Sequence, residues 1–382
     1  MSAAATGSSS PRSPTRAPTA VPTPRRTATI TSTARANITN TVGGATVVDT
    51  HYCYDNAGNL LHTYTGATSC TAGSGFDYTA AYDNDNQLTS ISGGGTVGGS
   101  VTFDAAGNET SAPSAVSRAT SYNDRSQPTS IGGTSAAYSG PDNHSRLSSG
   151  STSFLNSDLG VSAFTTSSAS TYATRTPDGR LLGLRVGTSS SYTSHYLLTD
   201  GQGSVIRMLS PTGSREANFN YDPFGVVTYN TDTNHVNPFL YTGGFYDAAS
   251  RLYKLDYRYY DPSLARFTQT DPANQLSLQQ SNLYSYAGDG PTYNSDPSGQ
   301  WYRNCGYISC TIYFNRRETR DIAYGLGGAA AVSGALPPPF NVIFAASLGL
   351  LSAEAAIAEN HGNCLKIKTP RSVGLYRDSH CR

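Results

Sequence analysis

Four times between Tyr54 and Pro128 the chain writes the same short phrase: an aromatic residue, an Asp or Asn, a few small polar residues, then an apolar or proline restart. The copies are YDNAGNL (54–60), YDNDNQL (82–88), FDAAGN (103–108) and the eroded YNDRSQP (122–128), spaced by 28, 21 and 19 residues. Each phrase ends one strand on its ring, turns through residues that tolerate positive φ, and starts the next strand. Self-similarity at this spacing marks a repeat architecture, in which each unit covers mainly its neighbours. A chain punctuated in this way is confined to antiparallel hairpins laid side by side, so the predicted class is mainly β.

Composition supports that class. Of 382 residues, 38 are Gly and 26 are Tyr, and only 14% are charged. Aromatics and Thr suit a pleated surface, Gly and Asn suit its bends, and the core of such a sheet is lined with tyrosine. Lys plus Arg equals Asp plus Glu at 26 each, which gives no sign of a nucleic-acid or membrane partner. Residues 1–46 are rich in Ser, Thr, Ala and Pro and lack the apolar run of a signal peptide, so they read as a disordered tail. The sequence is open to a longer upstream frame. Six cysteines, Cys53, Cys70, Cys305, Cys310, Cys364 and Cys381, include no C-x-x-C pair, which argues against zinc. Their even number points to an oxidising setting, secreted or at the cell surface.

Four Asp-Pro steps fall at Asp222, Asp261, Asp271 and Asp296, two of them inside RYYDPSLARFTQTDP (258–272). Proline forces the preceding residue out of the helical region and donates nothing to a ladder, so each step predicts a strand boundary closed by its aspartate. Between boundaries, Tyr253, Tyr257 and Tyr259 alternate with Lys254, Arg258 and Tyr260, one face apart.

The aromatic-Asp units resemble the YD repeats of Rhs and teneurin-type proteins. From His195 to Gly299 the ordered set HYLLTDGQGSVIRM, NYDPFG, FLYTGGFYDAASRLYKLDYRYYDPSLARFTQTDP and NLYSYAGDGPTYNSDPSG is similar to the Rhs repeat-associated core of bacterial polymorphic toxins. Three positions depart from it: Arg251 and Ala265 stand where the pattern has Gly, and Gly290 stands for an Asp. The resemblance implies a spiralling antiparallel sheet that walls in a variable C-terminal cargo. Here it is a partial shell, with degenerate YD repeats over 47–194, the core over 195–299 and the variable module over 300–382.

The resemblance also implies self-cleavage by two aspartates that share a proton, in the manner of aspartic proteases. By motif position the pair is Asp271 in DPANQ and Asp296 in DPSGQ, and the bond is Gln300–Trp301. Asn274, Gln275 and Gln300 depart from that motif, and the alternative is that both aspartates cap turns as Asp222 and Asp261 do.

After Gly299 the composition shifts. CTIYF (310–314) reads as a strand, and the capping-box-like Asn315 and Glu318 open a Gly/Ala-rich helix that ends at the proline run 337–339. A second helix runs from Phe340 to a stop at Gly362, and CLKIK (364–368) returns as a strand. The predicted module is β-α-α-β, with Cys310–Cys364 and Cys305–Cys381 as one of 15 possible sets of pairings and Cys53–Cys70 stapling the first repeat. No enzymatic constellation stands out; His361 and His380 lie near cysteines, but His361 ends a helix, where it faces the dipole. Arg316, Arg317 and Arg320 form a solvated helix face or meet an anion. The apolar helices are shorter than a membrane span and carry Glu354 and Glu359, so membrane contact is the lesser reading.

The expected function is a structural scaffold without cofactor or metal that carries its own C-terminal module as cargo. A small immunity protein is the partner the family implies. Two alternatives stand beside it: an adhesive repeat protein that binds cell-surface glycan, and a membrane-active C-terminal toxin released by aspartate-dependent cleavage. Beyond autoproteolysis, no enzyme activity is read.

Overall fold

A computed structural model describes residues 25–31, 35–42 and, short gaps apart, 45–271 and 282–299. Beyond these it describes 303–305, 310–313, 319, 320, 323, 355–368 and 372–376, with side chains from residue 50 onward where burial is defined. Almost every described element is an antiparallel strand paired to its sequence neighbour. A seven-stranded sheet runs in chain order from Arg25 to Ser100, and a twelve-stranded sheet from Thr120 to Asn230. A four-stranded core sheet follows, from Phe245 to Phe267, and the sheets do not close into a barrel.

Inside the segment read as a tail, strand pairing is described from Arg25: Arg25–Thr31 pairs with Arg35–Val42, which pairs with Ala45–Tyr54. The segments RRTATIT and RANITNTV are rich in β-branched Thr, Ile and Val, a strand composition that their Ser/Thr/Pro-rich surroundings hide.

The repeated phrase has one physical form. Its Asp or Asn accepts, on a single side-chain oxygen, the backbone N–H groups two and four residues on. Asp55 holds Ala57 and Asn59, Asp83 holds Asp85 and Gln87, and Asp104 holds Ala106 and Asn108. Asn123, Asp200 and Asp222 do the same at 2.8–3.1 Å. The residue three on is left-handed every time: Gly58, Asn86, Gly107, Ser126, Gly203 and Gly225. The ring before the aspartate reaches back one unit. Tyr82 donates to the Leu60 carbonyl, Tyr122 to that of Glu109 and Tyr221 to that of Val205, in each case the residue just after the previous turn.

Every turn then docks on the core. The core residues Asn282, Arg266, Tyr284 and Gln269 donate in order to Asn59 Oδ1 and to the carbonyls of Asn86, Gly107 and Ser126, at 2.6–2.8 Å. Gln202 donates to Pro291 and Asn294. Three core tyrosines hold the DPFG turn by consecutive carbonyls: Tyr241 on Pro223, Tyr260 on Phe224 and Tyr253 on Gly225. A side chain at Gly225, where φ is +93°, would strike the Tyr241 ring. Three of these donors, Tyr260, Arg266 and Gln269, lie in RYYDPSLARFTQTDP, which is part of the hub on which the wall is hung.

That hub differs from the expected alternation in one respect. The register does place Tyr253 opposite Tyr260 and Lys254 opposite Tyr259. Yet every residue of Leu252–Leu255 and Arg258–Asp261 is buried, because wall strands cover both faces. Asp222 and Asp261 mark strand ends as predicted; Asp296 closes a turn onto Gly299, and the residues that follow Asp271 lie outside the described ones. Arg251 and Ala265, which replace glycines of the pattern, both keep the glycine conformation at φ +58°.

In the C-terminal segment the described residues form a four-stranded sheet, Arg303–Cys305, Cys310–Tyr313, Cys364–Lys368 and Ser372–Tyr376, rather than the two predicted strands. The helix over 355–360 ends at Gly362, as expected, with His361 Nδ1 on the Ile357 carbonyl at 2.8 Å. Thr319 Oγ1 accepts the Leu365 N–H at 3.0 Å and ties the earlier helical turn to the sheet. Most of the two predicted helices, with Arg316, Arg317 and His380, lies outside the described residues, among which no helix is long and apolar enough to cross a membrane.

Candidate active site

Residues 255–261 form a tight hairpin turn and the strand after it, and this places Arg258 at the bottom of the core with 2% exposure. Its guanidinium lies 3.5 Å from the centroid of the Phe267 ring. One nitrogen, Nη2, meets both predicted aspartates: Asp271 Oδ2 at 3.1 Å and Asp296 Oδ2 at 3.4 Å. The other nitrogens reach backbone, Nη1 on the Leu283 carbonyl at 3.0 Å and Nε on the Gly299 carbonyl. Asp271 and Asp296, 25 residues apart in sequence, are thus brought to one cation in a site both share nearly free of solvent.

Asp296 also closes its own turn, with Oδ1 accepting the Gly299 N–H at 2.8 Å and the Ser298 hydroxyl at 3.0 Å. The backbone at Gly299 has φ +69°, and a Cβ there would fall 2.4 Å from the Leu255 carbonyl oxygen. Only glycine passes this point, so the residue before Gln300 is fixed in position. Burial pushes the Asp296 carboxyl up to about 7; Arg258 pulls it down, Asp271 pushes it further up, and the Ser298 and Gly299 hydrogen bonds pull it down. Below about pH 7 the protonated form of Asp296 predominates. An acid–base pair requires one member that holds a proton.

The expected bond, Gln300–Trp301, begins one residue past Gly299 and lies outside the described residues. Arg258 is the site residue that motif reading missed. Its signal in the sequence is an arginine at the head of a strand between two Asp-Pro steps, but only the fold shows that it is buried and which carboxylates it meets.

The Cys53–Cys70 disulfide is formed. Cys364 is fully buried and disulfide-bonded. The register does not bring it to Cys310, because Thr311 lies opposite Lys368, four residues along the strand from Cys364. Four residues span about 13 Å, twice the Cα separation a disulfide accepts. Cys305 lies opposite Cys310. Cys381 is outside the described residues. Among the described residues no group of three or more His, Cys, Asp or Glu is placed to hold a metal ion.

Residues 178–292 match the family described as Teneurin YD-shell. The tRNA(Glu)-specific nuclease WapA of Bacillus subtilis subsp. natto is 36% identical over 115 residues, 29% of this chain and 5% of that protein. Salivary gland surface protein 1 of Aedes aegypti is 35% identical over 106 residues, 27% of this chain and 3% of that protein. This chain therefore spans a small fraction of these relatives. Among solved structures, TcdB2-TccC3-Cdc42 aligns with 69% of this chain and 18% of its own, at 16% identity and a TM-score of 0.37.

Proposed function

Because the chain is a YD-repeat protein of the Rhs kind, with a YD-shell match over residues 178–292, we propose that its structural wall holds and presents the C-terminal module, residues 300–382, as cargo. The observation that carries this reading is the fixing of the chain at Gly299. There Arg258 Nε donates to the Gly299 carbonyl, Asp296 accepts the Gly299 N–H, and the Leu255 carbonyl leaves no room for a side chain. A disulfide in the first described repeats supports a secreted or cell-surface setting. A small immunity protein that binds the module is the partner such a role implies.

The shared guanidinium favours a second activity, cleavage after Gln300. In that reaction Asp271, as the carboxylate, takes a proton from water; the water oxygen adds to the Gln300 carbonyl; and Asp296, as the acid, protonates the departing Trp301 nitrogen. The products are a carboxylic acid at Gln300 and a free amine at Trp301.

Expression of the full chain followed by a denaturing gel and intact mass tests both statements. The expected result is a noncovalent pair of fragments ending at Gln300 and starting at Trp301, fused into one chain by Asp271→Asn or Asp296→Asn. Limited proteolysis should leave residues 45–299 intact. An uncleaved wild type ends the protease reading, and rapid digestion inside the wall ends the scaffold reading.

A further inference from the structure

We propose that Glu109, Arg118, Asp261 and Arg266 form a proton-operated latch between the repeat wall and the core. Glu109 opens the strand Glu109–Ser111 and is pinned from both sides. Its N–H donates to the Thr268 carbonyl of the core at 2.8 Å, and its own carbonyl accepts from Tyr122 on the next wall strand at 3.0 Å. Glu109 is 4% exposed, as are Arg118 and Arg266, and Asp261 is 1% exposed.

The pairing in this compartment is unequal. Arg118 gives Nη1 to Asp261 Oδ2, while its Nε and Nη2 have no hydrogen-bond partner. Arg266 gives Nη2 to the Asn86 carbonyl, spends its face on the Tyr82 and Tyr284 rings, and leaves Nε unbonded. Glu109 Oε2 is unbonded as well. Asp261 has both oxygens occupied, with Oδ1 on the Ser263 N–H and hydroxyl. Asp261 is thus held through both oxygens, whereas Glu109 keeps one buried oxygen without a donor. A buried, unheld carboxylate is costly, whereas the protonated acid is far less so.

Burial, the largest cause, pushes Glu109 up to about 7; Arg118 and Arg266 pull it down and Asp261 pushes it up. The other titratable group that faces it is Tyr122, whose own phenol burial keeps neutral. A carboxyl raised on folding contributes fully below its ordinary value of 4.5, and that contribution is lost as pH rises through about 7. The latch is closed in mild acid and loosened in mild base. Its consequence, that the wall parts from the core at this hairpin, rests on the holding role proposed above; the titration does not.

Hydrogen exchange by mass spectrometry on the full chain at pH 5.5 and 8, corrected for intrinsic rates, tests it. Peptides over 107–122 and 259–270 should lose roughly 30-fold in protection from the lower to the higher pH, from the displacement of one carboxyl. Glu109→Gln should flatten that dependence, and Glu109→Leu, which needs no proton, supplies the same comparison should the first variant not fold. An equal pH dependence in wild type and variant overturns the latch, as does a loss spread evenly into 181–221. A cargo that is never held would sink the holding role and leave these exchange data unchanged.

Discussion

The phenol of Tyr260 donates to the backbone carbonyl of Phe224 at 2.7 Å across 36 residues of chain, and both residues are buried. Tyr241 and Tyr253 bond the carbonyls on either side, so three core rings hold three consecutive peptide groups of one wall turn. The phenols are kept neutral by burial, which suits them as donors. Tyr260→Phe keeps the ring and strands the carbonyl, and should cost about 1–3 kcal/mol. The check is equilibrium urea unfolding: an unchanged midpoint would show that the Phe224 carbonyl has another donor.

Arg251 and Ala265 sit at φ +58° where a glycine belongs. A side chain in this region costs roughly 1–2 kcal/mol for most residues. Arg251→Gly should therefore stabilise the chain by about 1 kcal/mol, net of the greater freedom glycine gives the unfolded state. Ala265→Gly should gain less, because the methyl packs against the cluster around Phe224 and Leu264. Thermal unfolding of both single variants decides it, and a lower melting temperature for Arg251→Gly would contradict the strain argument.

What the sequence reveals follows from how local each interaction is. The turns were legible because Asp55, Asp83 and Asp104 bond backbone within four residues, so their grammar is written contiguously. The hub was legible as punctuation but not as a hub. The partners of Arg266 and Gln269 lie 180 and 143 residues away, and no periodicity encodes such a pairing. The strands before residue 45 were hidden by composition, since Thr-rich pairs look like a tail until the neighbouring strand is known. At the site, motif position found Asp271 and Asp296, while Arg258, Glu109 and Arg118 were passed over. A buried charge is recognisable only once its burial is known, and burial is a property of the fold.

Arg258 holds two buried carboxylates at once, so removing it should be among the most damaging single changes in the chain. Arg258→Met leaves Asp271 and Asp296 facing each other without a cation and should cost about 3–5 kcal/mol. The triple variant that adds Asp271→Asn and Asp296→Asn removes the uncompensated charge and should recover part of that loss. Unfolding midpoints of the two proteins give the answer; equal midpoints would mean that the carboxylates were not the burden.

Asp296 gives the site its own pH dependence. Its carboxyl is raised from the usual 3.8 to about 7 by burial, so the folded state favours the protonated form. The contribution to stability is therefore complete below pH 3.8 and declines as pH rises through about 7, opposite to a salt-bridged carboxylate. Between pH 5 and 8 the folding equilibrium constant should fall roughly 10- to 100-fold from this group, and Asp296→Asn should remove that part of the slope. The proposed cleavage shares the proton: Asp296 donates only while protonated, so the rate of cutting should decline above about pH 7. Refolding the purified, uncleaved chain across pH 5 to 9 and following the appearance of the fragment beginning at Trp301 measures both. A rate that rises steadily into alkali would assign the acid role to some other group.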